Sequence, residues 1–365
     1  MYIEQELVSV GKRENNKKRN YLVINPLQGK HIPVSPGRAL ELFDALADLL
    51  KDEYRDEKLL LIGFAETATA IGAAVAVRLG ANYIQTTREE IMGADYLYFT
   101  EAHSHAAEQK LVKNDVDRVI EETDRIVFIE DELTTGNTIL NIIRVMEEAY
   151  GGNLQFSAAS LLNGMTDENL DRYEEKGVRI HYILKTNHKD YGEIADRYAG
   201  NGSYEKCNTE ESPRVNEYCI PGWRDARRLV NGRDYQEACE ALRRSLENRL
   251  SFHEKESVLV IGTEEFMYPA LYIGYCIEKR GCRVRFHATT RSPIAVSTEE
   301  GYPLSVRYEL RSLYAKDRRT FIYDIQKADR VLIITDAHCS ENAGKNSLIR
   351  AVLKKNETID LIRWC

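Results

Sequence analysis

The sequence predicts a two-part α/β protein whose first part is a mostly parallel, doubly wound sheet. Three observations support this. Short apolar runs bounded by charge alternate with helical periods through residues 21–184, and strands alternating with helices at this spacing favour parallel pairing through crossover helices. From about Asn187 to Asp234, Gly200-Asn201-Gly202, Pro213, Pro221-Gly222 and Gly232 interrupt every period. A second strand–helix–strand pattern then begins near Val258. The 365 residues suffice for two domains. They are expected at 1–190 and 235–365, with 191–234 as a linker that wraps both.

Each element follows from its periodicity. Tyr21–Asn25 reads as a short strand. Gly37–Lys51 reads as a helix burying Leu40, Phe43, Leu46, Ala47 and Leu50. Leu59–Phe64 is an apolar run between charges, hence a buried strand. Ala68–Leu79 is a helix of small residues suited to close packing on a sheet. Asn82–Thr86, Tyr96–Thr100 and Ile126–Ile129 are strand candidates. Phe156–Leu162 and Val178–Leu184 are two more, flanking a helix near Asp167–Lys176. In the second half Tyr235–Leu250 aligns Ala238, Leu242, Leu246 and Leu250 on one helical face. Strand Val258–Ile261, a helix near Leu271–Lys279, and strands Arg283–Ala288 and Val331–Thr335 follow.

Composition excludes several classes. Apolar content of 43% and charged content of 30% suit a soluble globular chain. No apolar run reaches membrane-spanning length and the N-terminus lacks a signal-peptide core, so a cytoplasmic location without membrane partners is expected. A net charge of −8 argues against a nucleic-acid partner. The Lys12–Arg19 cluster reads as a solvated turn. The seven cysteines are odd in number and contain no CxxC pair, so reduced thiols are expected, with neither a zinc site nor a disulfide framework.

The most informative stretch is Val127-Phe128-Ile129-Glu130-Asp131-Glu132-Leu133-Thr134-Thr135-Gly136-Asn137-Thr138-Ile139. An apolar run ends in acids, a Thr/Gly/Asn loop follows, and Ile139, Ile142, Ile143 and Met146 then recur at helical spacing. The loop places backbone N–H groups and hydroxyls at a helix N-terminus, where a phosphate is favoured. Like charges repel, so the acids need a hydroxyl-rich neighbour or a divalent cation. A ribose 5-phosphate meets both demands. An ordinary Thr-capped helix start is the bland alternative.

In the second half, three polar turns follow successive strands. Gly262-Thr263-Glu264-Glu265 opens a helix, Thr289-Thr290-Arg291-Ser292 follows the next strand, and Asp336-Ala337-His338 follows the last. Such turns fall on one edge of a parallel sheet, where open α/β folds bind ligands. Thr290, Arg291 and Ser292 form a candidate clamp for phosphate or carboxylate. Glu264, Glu265 and Asp336 are candidates for a cation or sugar hydroxyls. Capped loops are the alternative.

The acid pair Glu130-Asp131, two spacers and Thr134-Thr135-Gly136-Asn137-Thr138 resemble the loop of type I phosphoribosyltransferases that binds 5-phosphoribosyl 1-diphosphate (PRPP). Over nearly the whole chain the sequence looks like a family pairing an orotate-phosphoribosyltransferase-like domain with a C-terminal domain named for a Thr-Arg-Ser-Pro motif, here Thr290-Arg291-Ser292-Pro293. Gly63-Phe64-Ala65-Glu66-Thr67-Ala68-Thr69, Glu101-Ala102-His103-Ser104-His105, Gln28–Pro33 and Gly262–Phe266 look like further signatures.

The resemblance implies a type I phosphoribosyltransferase-like sheet with a hood, followed by a second, Rossmann-like α/β domain. It implies a PRPP- and Mg²⁺-dependent transfer of 5-phosphoribose to a nitrogenous base, with pyrophosphate released. Thr134, Thr135, Gly136, Asn137 and Thr138 would hold the 5-phosphate. Glu130 and Asp131 would hold the ribose hydroxyls and, through PRPP, the Mg²⁺. The backbone amides of Ala65, Glu66, Thr67 and Ala68, with Arg88, would hold the diphosphate. The Glu66 side chain would cap such amides or bind the cation, and Lys110 would be a further substrate-binding residue; a capped helix start is the other reading of the Ala65–Ala68 turn. His103 or His105, on a lid, would supply a proton; a metal site and a solvated loop are the other readings of that segment. Asn25–Val34 would either belong to the base-contacting hood or form a plain turn.

Such proteins are associated with bacterial tellurite-resistance and stress clusters, which implies synthesis of a nucleotide-like metabolite. Type I phosphoribosyltransferases are often dimers, so a homodimer is a further expectation. Alternatives of other classes are a non-catalytic PRPP or nucleotide sensor and a ribosyl hydrolase or phosphorylase.

Overall fold

A computed structural model describes residues 2–14, 19–99, 109–207, 209, 213–338 and 342–365. In chain order its elements begin with α1 (Glu4–Leu7), β1 (Ser9–Lys12), β2 (Tyr21–Ile24) and α2 (Pro36–Glu53). Next come β3 (Leu59–Gly63), α3 (Thr69–Leu79), β4 (Asn82–Gln85), β5 (Tyr96–Phe99), β6 (Gln109–Val112) and α4 (Lys113–Val116). Then follow β7 (Arg125–Leu133), α5 (Asn137–Tyr150), β8 (Gln155–Asn163), α6 (Asp167–Glu175) and β9 (Arg179–Lys185). The middle of the chain holds α7 (Tyr191–Asp196), β10 (Ser203–Lys206), β11 (Asn216–Ile220), β12 (Val230–Asn231) and α8 (Gly232–Glu247). The last stretch is β13 (Ser257–Gly262), α9 (Tyr268–Glu278), β14 (Arg283–Ala288), β15 (Val306–Arg311), β16 (Arg319–Tyr323), β17 (Arg330–Thr335), α10 (Asn342–Leu353) and β18 (Ile359–Trp364).

The chain forms two compact units, and neither is a single stretch of sequence. One comprises Leu40–Thr186 with Arg224–Ala238. The other comprises Met1–Ala39, Asn187–Trp223 and Cys239–Cys365. Residues 191–234, expected as a linker, thus supply elements to both.

The unit built around residues 40–186 carries a six-stranded sheet in the order β12-β4-β3-β7-β8-β9. All its pairs are parallel except the edge pair β12–β4. Leu60, Ile62, Phe128, Ile142, Ile143 and Met146 are buried in its core. The helix of small residues packs closely, as its composition predicts. The Tyr83 ring fits against Gly63 and Gly72, where an added Cβ would meet the Tyr83 hydroxyl at 2.5 Å and its ring at 2.8 Å. The Tyr83 hydroxyl donates to the Thr69 carbonyl at 3.0 Å. β12 is held by Arg228, which donates twice to the Asp115 carboxylate at 2.6 and 2.9 Å. That pair joins positions far apart in sequence, which is why no local pattern announced it.

The other unit carries a five-stranded, all-parallel sheet in the order β11-β18-β17-β13-β14. A three-stranded sheet, β10-β15-β16, interrupts the connection from β14 to β17. The N-terminal segment belongs here. Val34 bridges Phe286, Ile24 packs with Ile294, Leu304 and Phe321, and Arg307 pairs with Glu14 at 2.7 Å. Asn25–Val34 therefore covers β14 within this unit.

Cys219 and Cys365 form a disulfide, with Cα atoms 6.1 Å apart, correcting the expectation of reduced thiols throughout. Their separation of 146 residues hid the pairing. Only the parallel β11–β18 contact brings them together.

Candidate functional site

In the six-stranded sheet the chain leaves β3 for β4 on one side, and β7 then pairs with β3 on the other. The strand order reverses there, and open α/β sheets bind ligands at the carboxyl ends of the strands flanking such a point. The loop after β3 is Phe64–Ala68, and Glu130, Asp131 and Glu132 lie near the end of β7, just before Leu133. The two predicted segments are thus brought together. The Thr67 hydroxyl donates to Asp131 Oδ1 at 3.0 Å across the reversal.

Asp131 has an abnormal acidity. Burial, and then the neighbouring Glu132 charge, raise its pKa to about 6, against a weaker opposing pull from the Thr67 hydroxyl and backbone N–H groups. A carboxylate so placed gains by accepting hydrogen bonds from a ligand's hydroxyls.

The loop after β3 is held from behind. The Ala65 N–H donates to Thr86 Oγ1 at 2.8 Å, and Thr86 donates to Gln109 Oε1 at 2.6 Å. Gln109 Nε2 returns a bond to the Ala65 carbonyl at 3.2 Å. The Ala65–Glu66 peptide is cis. The amides of Ala65 and Ala68, expected to face an anion, donate within the protein, the latter to the Phe64 carbonyl at 3.0 Å. Thr86 and Gln109 were missed as site residues, because a buried Thr and Gln at strand ends carry no local signal.

The Thr134–Thr138 segment forms a loop that opens α5, which starts at Asn137. Gly136 has φ +69°, and an added Cβ would lie 2.4 Å from the Tyr173 hydroxyl. Glycine is required on both counts. From α6, Tyr173 donates to the Gly136 carbonyl at 2.8 Å and Arg172 donates to Asn137 Oδ1 at 3.0 Å. These two residues brace the loop and were not anticipated. Thr134, Thr135 and Thr138 are partly exposed around it.

Arg88 is half-buried just past β4. The Lys110 side chain is nearly buried, ion-paired to Glu90 and 4.6 Å from the Tyr96 ring centre, and that pairing competes with a role on the diphosphate. His103 and His105 lie outside the described residues. Among the described residues no group of three His, Cys, Asp or Glu side chains could hold a metal ion.

The second sheet has its own reversal, between β13 and β17. Glu264 stands just beyond β13 with φ +48°, fully buried. Its carboxylate accepts from the Ser312 hydroxyl at 2.7 Å, the Leu313 N–H at 3.3 Å and Arg318 at 3.2 Å, and it lies 3.5 Å from Arg291. Arg291 also pairs with Glu265 at 2.5 Å. The acids and the arginine expected as separate binding groups therefore form one buried ion network. The ammonium of Lys30, entirely buried, donates to the Glu264 and Thr289 carbonyls at 3.4 and 3.3 Å. Thr290 is buried, and its hydroxyl accepts from the Ser292 N–H at 3.2 Å. Asp336, at the end of β17, accepts from the Tyr314 hydroxyl at 2.7 Å.

A parallel sheet with an acid-ended central strand, a Thr/Gly loop opening the next helix and a second loop across the reversal defines a type I phosphoribosyltransferase-like fold. The chain belongs to the family in which a phosphoribosyl transferase domain is followed by a TRSP domain. Residues 7–188 match the phosphoribosyl transferase family, and residues 225–352 match the TRSP domain C-terminal to it.

Solved structures of adenine phosphoribosyltransferases are similar to half of the chain. The protein from Thermoanaerobacter pseudethanolicus is 21% identical, over 50% of this chain and 97% of that one, with a TM-score of 0.36. The Rhodothermus marinus protein is 15% identical, over 50% and 96%, with a TM-score of 0.36. The Trypanosoma brucei protein, in complex with AMP, pyrophosphate and ribose-5-phosphate, is 14% identical, over 50% and 77%, with a TM-score of 0.35. No curated protein sequence matches the chain.

Proposed function

We propose that the protein is a PRPP-dependent phosphoribosyltransferase acting on a nitrogenous base. The observation carrying this is the Thr67–Asp131 bond across the strand reversal, one short loop away from the phosphate site before α5. A ribose 5-phosphate lying along β7 would place its phosphate at the α5 N-terminus and its hydroxyls on Glu130 and Asp131. Thr134, Thr135, Gly136, Asn137 and Thr138 would bind the phosphate through amides and hydroxyls. The diphosphate would lie toward Glu66, Thr67 and Arg88.

Magnesium retains several waters and is commonly bound through substrate phosphates and one or two carboxylates. Glu130 and Asp131 fit that manner of binding, holding the ion through the ribose of PRPP. The ion would neutralise charge on the departing pyrophosphate. Ionised acids beneath the ring favour the positive charge that develops as the C1–O bond breaks, while the fixed loops position the reactants. The base nitrogen takes the ribosyl carbon, and pyrophosphate leaves with the bonding pair. The network around Glu264, Glu265, Thr290, Arg291, Ser292 and Asp336 would serve a second ligand or reaction step, within synthesis of a nucleotide-like metabolite.

A screen of pyrophosphate release from PRPP across purine, pyrimidine and orotate acceptors tests the assignment. Release with one of them, abolished in Asp131→Asn, is the expected result. PRPP binding with no release for any base would instead fit a sensor.

A further inference from the structure

We infer that the TRSP-containing unit binds the ribose diol of a nucleoside or nucleotide at the reversal between β13 and β17, through Asp336 and Tyr314. The inference rests on the ribose role proposed above for Asp131.

The two sheets repeat one device. In the first, an acid ends the strand on one side of the reversal, and a hydroxyl from the other side reaches it: Thr67 to Asp131 at 3.0 Å. In the second, Asp336 follows β17 and the Tyr314 hydroxyl reaches it from the loop between β15 and β16, while Thr263, just past β13, stands across the reversal. Tyr314 donates to Asp336 Oδ1 at 2.7 Å, and Thr263, ending β13's run, lies 2.6 Å from the Tyr314 hydroxyl. Thr263 also meets Thr335 Oγ1 at 2.8 Å. The carboxylate accepts from vicinal alcohols while the hydroxyls beside it can donate or accept, and vicinal alcohols are what a ribose presents. Strand ends at such a reversal are where open α/β sheets take ligands.

Charge balance narrows the class. Glu264 and Glu265 are matched by Arg291 and Arg318 within hydrogen-bonding or ion-pair distance. Lys30 adds a buried positive charge from the N-terminal segment, close to the Glu264 and Thr289 carbonyls. With Asp336 the set sums to zero, so no surplus positive charge awaits an anion and a neutral ligand is favoured over a polyphosphate. A left-handed backbone at a buried non-glycine residue, Glu264 at φ +48°, marks a turn held by its surroundings, as occurs at ligand sites. Glu264 is a positioning residue here: its carboxylate is occupied in fixing the 312–318 loop that presents Tyr314.

The test uses the full chain with Glu130→Ala and Asp131→Ala, which silence the first site. The four common ribonucleosides, their 5′-monophosphates and the 2′-deoxy counterparts of each are titrated by calorimetry. At least one ribonucleoside or ribonucleotide is expected to bind. Its 2′-deoxy form should bind at least tenfold more weakly. Binding of the nucleoside itself shows that the diol suffices; binding only of the monophosphate shows that the phosphate is read as well. Asp336→Asn and Tyr314→Phe should each weaken binding at least tenfold with the unfolding midpoint retained. If Asp336→Asn does not fold, Tyr314→Phe decides. No binding across the panel, equal binding of the 2′-deoxy forms, or unchanged binding by a folded variant overturns the inference. PRPP titration of the native chain is read separately. PRPP failing to bind while the panel binds would remove the transferase reading and leave the second site standing.

Discussion

At the residue scale, Asp131 ties function to a stability cost. Its folded pKa of about 6 exceeds the ordinary value of 3.8, so folding favours the protonated form. Its contribution to stability is fully present below about pH 4 and is lost as pH rises through about 6. A shift of that size corresponds to about 3 kcal/mol between the two protonation states. Asp131→Asn mimics the neutral acid, so at pH 7 it should unfold at a higher temperature than the native protein. That advantage should shrink below pH 5. PRPP turnover should fall at least a hundredfold in the same variant. Equal losses of thermal stability and activity would contradict the binding role. The ribose role proposed for Asp131 needs the ionised acid, so PRPP affinity should decline as pH falls through about 6, measured by titration between pH 5 and 8.

Gly136 makes the complementary case. Gly136→Ala meets both a positive φ and the Tyr173 hydroxyl at 2.4 Å. Destabilisation of about 1–3 kcal/mol is expected in denaturant unfolding. The sequence made glycine, threonines and acids legible because they are contiguous. It could not show that Glu264, Glu265 and Arg291 neutralise one another, since charge balance is settled only when β13, β14 and the 312–318 loop meet.

At the scale of elements, periodicity located most strands and helices to within a few residues. The predicted strand Ile126–Ile129 continues as β7 to Leu133, with its three acids half-buried toward the carboxyl edge of the sheet. The short strands of the smaller sheet, β10 parallel to β15 and β15 antiparallel to β16, were not legible. β10, β15 and β16 mix exposed and buried charges, and Arg307 is buried only because it meets Glu14 and the rings of Tyr204 and Phe321. α6 illustrates an element whose purpose appears only in three dimensions. Its amphipathic period predicted a helix, yet Tyr173 and Arg172 act on the loop before α5. Tyr173→Phe removes one hydrogen bond, worth about 1 kcal/mol. PRPP affinity should drop several-fold in titration while the helix content seen by circular dichroism is unchanged. Unaltered affinity would show that the loop does not depend on that brace.

At the scale of the molecule, a boundary drawn along the sequence does not coincide with the compact units. Residues 1–39 belong with 239–365, through Ile24, Val34, Lys30 and Glu14. Removing residues 1–39 should therefore destabilise the TRSP-containing unit, exposing it to proteolysis before the sheet around β7. Among the described residues no helix is long and apolar enough to cross a membrane.

The central claim is that the edge formed by β3, β7 and α5 binds PRPP. Calorimetric titration of PRPP, with and without Mg²⁺, tests it most directly on the native chain and on Glu130→Ala/Asp131→Ala. Mg²⁺-dependent binding to the native chain, lost in the double variant, is the predicted result. Absence of binding to the native chain, or equal binding by the double variant, would contradict it.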